Sequence, residues 1–257
     1  MSVDQLDTST SDTTDGERTT RWSPLQRALL ALIVFYFSIV PVFWHLEVHV
    51  GIDHSIATNT MTVLHICTFV AALAMPWVRL PGQGPRSRAQ RFDAMVIVWM
   101  FICLIPRFIW ELPWLLFLDQ IKHGVVHGAL WTYIWSPYLL GGDDRYFNGD
   151  PLVVTLEWIA LFVGIFEAYA LWRFFRQGKR FTPTQLSFVM GGMIVEVLLP
   201  AVYFGVEIAN GGGDVSNPAD LWIKFVLLNS FWCTMPLLTY AWGVRRLTNQ
   251  NLTVTEF

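Results

Sequence analysis

The sequence predicts an all-α protein, a polytopic membrane helix bundle of six transmembrane helices, on three observations. Hydrophobic residues make up 54% of the 257 and charged residues only 14%, little more than half the charged share of an ordinary soluble domain. Apolar stretches of roughly 20 residues or more, enough to cross a bilayer core, recur six times. None alternates apolar with polar residues as a barrel strand does, so helices must satisfy the backbone where there is no water. A net charge of −3 also excludes the basic footprint of a nucleic-acid-binding protein.

Residues 1–24 are rich in Ser, Thr and Asp and lack an apolar core beside a small-residue cleavage site. They read as a disordered cytoplasmic tail rather than a signal peptide. The spans follow at about 26–46, 57–78, 93–118, 152–172, 184–207 and 220–244, each closed by Gly, Pro, Arg or an acidic cluster. In this arrangement Arg18, Arg21, Arg27, Arg79, Arg86, Arg88, Arg91, Arg173, Arg176, Lys179, Arg180, Arg245 and Arg246 share one side, against Lys122 and Arg145 on the other. By the positive-inside rule both termini are cytoplasmic, in the plasma membrane if the source is bacterial and the endoplasmic reticulum if it is eukaryotic. The connection from 119 to 150 is long. Its run Leu130-Trp131-Thr132-Tyr133-Ile134-Trp135-Ser136-Pro137-Tyr138 is expected to lie in the outer interface as an aromatic belt or a lid. Cys67, Cys103 and Cys233 sit in apolar segments without metal-ligand spacing and read as packed thiols.

Four carboxylates fall inside the spans, where ionisable groups are costly and mark function: Glu111, Glu157, Glu167 and Glu196. Counted at about 1.5 Å of rise per residue, Glu111 lies roughly 12 Å and Glu157 roughly 8 to 9 Å below the outer helix ends. Asn229 and Trp232 enter the last span from the same side at roughly 14 and 18 Å. All four are expected to line one pocket in the outer half, with Glu196 near mid-bilayer as its floor and Glu167 deeper. Arg107 and Glu111 are spaced i,i+4, which would pair them on one helical face and keep both ionised. Pro106 and Pro113 flank that pair and favour a bend that opens a cavity. The pairs His45/His49 and His123/His127 repeat the same spacing at the outer surface, but six histidines with no His-His doublet read as solvated interfacial groups rather than a di-iron centre.

The stretch Asp143-Asp144-Arg145-Tyr146-Phe147-Asn148-Gly149-Asp150, followed seven residues later by Glu157, resembles the emopamil-binding protein family. That family comprises the sterol Δ8,Δ7-isomerases and an expanded superfamily that includes the sigma-2 receptor. Gln185-Leu186, Gly191 and Glu196 are similar to its fourth helix, Asn229-Ser230-Phe231-Trp232 to its last, and Trp110-Glu111-Leu112-Pro113-Trp114 to the stretch bearing its first catalytic Glu. The resemblance covers about 58–246 and implies a five-helix domain there, with 25–57 an added N-terminal helix and loop and 247–257 a cytoplasmic tail. It implies Glu111 and Glu157 as catalytic residues, and Arg107, Trp110, Glu196, Asn229 and Trp232 as substrate-binding ones. Two positions depart from the pattern. Arg107 stands where the family has His, and Ala160 where it has Thr, which removes a proton carrier and a hydroxyl.

The activity implied is isomerisation of a sterol or other isoprenoid lipid: a carboxylic acid protonates an alkene, Trp232 steadies the cation, and a second group removes a neighbouring proton. If Arg107 holds Glu111 ionised, Glu111 is the base and Glu157 the acid. No metal, nucleotide or redox cofactor is called for. The partners are the lipid substrate and the membrane, with no nucleic acid and with a homodimer left open. Two other readings use the same residues: a membrane terpene cyclase, and a non-catalytic sterol, lipid or amine-binding protein. A transporter is disfavoured because the halves 26–118 and 152–244 show no inverted repeat.

Overall fold

The computed structural model describes residues 22–140, 143–211, 219 and 221–254. Most of the expected N-terminal tail, residues 1–21, therefore lies outside the described residues. Six spans run Pro24–Val48, His54–Trp77, Arg88–Val126, Pro151–Arg176, Pro183–Ala209 and Leu221–Thr248. Among the described residues the only strand-like pairing is a single antiparallel bridge between Arg180 and Thr253.

Local chemistry sets where each span begins. Ser23 and Gln26 form a reciprocal capping box ahead of helix α1 (Pro24–Val48), and Asp53 caps α2 (His54–Ala74). Ser87 with Gln90 opens α3 (Arg88–Ile105), whose run continues through a π-helical turn, Pro106–Glu111, into α4 (Leu112–Val126). Two short helices follow a 3-10 segment at Leu130–Trp135: α5 (Ser136–Leu139) and α6 (Asp144–Asn148). Gly149 then adopts φ 67°, a left-handed conformation that glycine takes without strain, and Asp150 caps α7 (Pro151–Arg176). Thr182 with Gln185 opens α8 (Pro183–Ala209). A second π-helical segment, Leu221–Leu227, leads into α9 (Leu228–Thr248).

The third span differs from the expected 93–118. It continues to Val126 and bends at Phe117, whose φ of −131° leaves the helical region. Asp119, Lys122 and His123 end the apolar run, yet Ile121 and Val125, spaced i,i+4, stay buried and carry the helix onward. The aromatic run after it turns inward rather than lying flat in the interface. Thr132, Tyr133, Trp135, Ser136 and Leu139 are buried while Trp131 faces out. Gly124 makes this possible, since a Cβ there would sit 2.5 Å from the Thr132 methyl carbon.

Helix α7 turns apolar side chains outward and buries its acids in an otherwise largely hydrophobic interior. Phe162, Ile165, Phe166, Tyr169 and Trp172 of α7 are exposed, whereas Glu157 and Glu167 of the same helix are buried. Helix α9 packs on α8, α8 on α7, and α1 on α2. Of the three cysteines, Cys103 is buried, but Cys67 is exposed on the outer face of α2, so it is not a packed thiol.

Each end is tied separately. At the Arg-rich end Arg246 pairs with Asp93, which also accepts from the Trp242 indole N–H at 2.8 Å. Residues 249–254 return to this end, where the Phe181 and Val254 amides donate to Leu252 and Lys179 carbonyls at 2.9 Å each. At the opposite end Arg145 pairs with Asp143 at 2.8 Å and Glu207 at 3.3 Å, and the Tyr203 hydroxyl donates to Asp143. The Tyr133 hydroxyl donates to Glu47 at 2.6 Å, and burial together with that carboxylate raises its pKa, so it remains a donor.

Candidate functional site

Between the spans lies a cavity of about 190 Å³ whose walls include Arg107, Trp110, Glu111, Glu157, Glu196, Asn229 and Trp232. The structure thus brings together all seven side chains singled out from the sequence. Glu167 is absent from this wall. It is buried ten residues further along α7, and neither of its carboxylate oxygens has a hydrogen-bond partner.

Arg107 does not pair with Glu111. Its guanidinium reaches across the bundle, donating from Nε to the Ala160 carbonyl at 2.9 Å and from Nη1 to the Cys103 carbonyl at 2.7 Å. Its Nη2 forms an ion pair with Glu196, and both side chains are 1% exposed. The i,i+4 rule presumes a regular α-helix, and here the residues between Pro106 and Pro113 form a π turn. Each proline lacks the N–H that would continue the ladder, so the turn widens and re-aims both side chains. Gly164 on α7 supplies the space, because a Cβ there would collide with Arg107 Cδ. Ala160 gives its carbonyl to Arg107, so the two departures from the family pattern touch each other and form one local arrangement.

The two cavity acids consequently sit in different surroundings. Glu157 accepts a hydrogen bond from the Tyr146 hydroxyl, which supports its carboxylate form. Burial, and next the Glu157 charge, raise the Tyr146 pKa well above its usual value, so this hydroxyl stays protonated and keeps donating. Glu111 is buried and its Oε2 has no partner. The Arg107 guanidinium is directed to Glu196 instead, so Glu111 has neither a direct ion pair nor a donor at that buried oxygen, whereas Glu157 has the Tyr146 hydroxyl.

Aromatic rings enclose the acids. Trp110 lies 5.5 Å from Tyr138 and 5.3 Å from Tyr146, centroid to centroid, and Tyr146 lies 5.2 Å from Trp114. Trp232 is held edge-on to Trp99 at 5.4 Å and to Phe69 at 6.0 Å. The folded-in segment contributes Ile134, Pro137 and Tyr138 to the wall, and Trp135 fastens it by donating to the Trp110 carbonyl at 3.0 Å. Asn229 donates to the Lys224 carbonyl at 3.3 Å, which also accepts from the Tyr138 hydroxyl at 3.1 Å. Sequence reasoning placed Tyr138 in an interfacial belt or lid, used Tyr146 only within the motif that carries the resemblance, and gave Tyr203 no role. Buried Lys224, whose Nζ donates to Thr58 at 3.2 Å, was likewise hidden inside an apolar span.

Together the fold and this cavity define a multi-pass helical membrane protein with an acidic, aromatic-walled chamber within the bundle. The family model described as EXPERA, the expanded EBP superfamily, matches residues 130–241 and supports an EBP-like assignment for that stretch. The matched stretch carries Glu157, Glu196, Asn229 and Trp232, whereas Arg107, Trp110, Glu111 and the whole of α1 precede it. A search of curated proteins found no match.

Proposed function

We propose that the protein is a membrane isomerase that moves a carbon–carbon double bond in a sterol or other isoprenoid lipid. The observation that carries this reading is the pair of unlike carboxyl groups, Glu111 and Glu157, on the wall of one aromatic cavity. Neutral Glu111 delivers its proton to one alkene carbon, leaving a cation on the adjacent carbon. The faces of Trp110, Trp232 and the neighbouring tyrosines attract that cation, by about 2 kcal/mol per favourable ring in a dry site. Glu157, held as carboxylate by Tyr146, removes a proton from the carbon beyond, and that C–H electron pair becomes the new double bond. One proton enters and one leaves, so no redox partner is consumed. The site is reset when Glu157 releases that proton to solvent and Glu111 takes one up from it. Arg107 serves as a positioning residue, since all three of its nitrogens are committed to Glu196, Cys103 and Ala160.

That same commitment favours a second reading, a lipid or amine-binding protein in which Glu111 and Glu157 pair a ligand cation. In both readings the Arg-rich end and both termini face the cytoplasm. Expression in a strain lacking sterol isomerase, followed by lipid extraction, separates them. A shifted double bond in sterol or polyprenyl lipids supports the isomerase, and unchanged lipids with saturable amine binding support the binder.

A further inference from the structure

A second cavity of about 670 Å³ opens between α1, α2 and α3. It shares Tyr36, Phe69 and Ile105 with the acidic cavity, so these three residues form the partition between the two. Leu29 and Ile33 of α1, Ala72 of α2, Phe101 and Ile102 of α3, and Phe175 of α7 line its length. Its mouth lies at the Arg-rich end beside Trp22, Gln26 and Lys179. From Trp22 to Tyr36 the groove runs along α1 for about 21 Å at 1.5 Å per residue, more than half of a core of about 30 Å.

We infer that this groove holds the flexible hydrocarbon chain of the lipid whose reacting part occupies the acidic cavity. The substrate class is then a long-chain amphiphile rather than a compact molecule filling one pocket. This rests on the reading of the acidic cavity as a lipid site. Three observations lead to it. The acidic cavity is smaller than the 300 to 1,000 Å³ or so of pockets that hold drug-sized ligands, so it takes only part of a lipid. The groove is more than three times larger and abuts it through a shared wall. Its lining is mostly apolar, and two of its polar side chains are already engaged: Thr68 donates to the Leu64 carbonyl at 2.8 Å, and Gln26 accepts from the Ser23 amide at 2.9 Å. Such a wall offers hydrocarbon contacts and little for a head group. Helix α1, which builds one side of the groove, lies outside the family match, so the second chamber is an addition to the matched segment.

The probes are two amines with one dimethylamino head, one bearing a butyl chain and the other a hexadecyl chain with a terminal diazirine. They are tested on the full chain in phosphatidylcholine nanodiscs. The head is expected at Glu111 and Glu157, where carboxylates and aromatic faces meet a cation. After photolysis, peptide mapping should place the chain terminus on Leu29, Ile33, Phe101 or Ile102, and excess butyl amine should remove that label. Ile33→Trp, at a position 40% exposed and so tolerant of bulk, should weaken the hexadecyl amine about tenfold, the worth of roughly two buried methylenes, and leave the butyl amine unchanged. Label near residues 130–138, label scattered over lipid-facing positions such as Phe162, or no saturable label overturns the inference. So does groove label that excess butyl amine does not displace, which would instead mark an independent bilayer lipid seated by Lys179. Absence of sterol turnover with the competed groove label intact removes the isomerase reading and leaves the two-chambered lipid site standing.

Discussion

Replacing Arg107 by Met should produce one of the largest stability losses available to a single substitution in this chain. The guanidinium is buried, and its removal leaves Glu196, also buried, without a counter-charge while orphaning the bonds to Cys103 and Ala160. Breaking one side of a buried pair costs about 3 to 5 kcal/mol, chiefly from the stranded charge. For a chain of this size that corresponds to a fall of roughly 6 to 20 °C in the unfolding midpoint. The double variant Arg107→Met/Glu196→Met should recover most of the loss, because no charge is then left unpaired. Gly164→Ala, which places a Cβ against Arg107 Cδ, should cost less, and that cost should shrink in the Arg107→Met background. Intrinsic tryptophan fluorescence during heating in nanodiscs reads all four. A midpoint for Arg107→Met within about 2 °C of the parent, or a double variant as unstable as the single, would refute the argument that this ion pair ties the bundle together.

Three further outcomes follow from the site and the topology. Glu111→Gln and Glu157→Gln should each lower turnover at least about a hundredfold while retaining amine or lipid binding within a few-fold, as loss of a general acid or base does; a variant that keeps full turnover loses its assigned role. Tyr146→Phe, which removes the donor to Glu157, should lower turnover more than binding and cost about 1 kcal/mol of stability, read from product formation and thermal unfolding. A reporter fused after Phe257 should be active on the cytoplasmic side, and activity only on the other side contradicts the orientation taken from the arginines.

Much of this was legible because a bilayer makes sequence readable by length and polarity. Apolar stretches of spanning length located the six spans, and counting inward from their ends set Glu111, Glu157, Asn229 and Trp232 at similar depths. The same counting failed where the helix stops being regular. Pro106 and Pro113 turn the segment between them into a π turn, so a spacing of four no longer shared a face and Arg107 found Glu196 instead of Glu111. Hydropathy also ended the third span early, since Asp119 and Lys122 hid the buried stripe of Ile121 and Val125. Tyr146 was visible in the Asp-Arg-Tyr run, but its partner Glu157 is eleven residues away, across a left-handed Gly149 that sets the direction of the next helix. Contacts of that kind depend on a turn conformation rather than on periodicity.

The central claim is that a carboxyl group of this chain adds a proton to a lipid alkene while a second one takes a neighbouring proton away. It is tested most directly by incubating the protein in nanodiscs with a Δ8-sterol, and separately with a polyprenyl lipid, in deuterated water. Because the Glu111 proton exchanges with solvent, the isomerised product should carry one deuterium at the carbon that gained the proton, and both the product and the label should disappear in Glu111→Gln. Product without deuterium, or labelled product that persists in Glu111→Gln, would contradict the account.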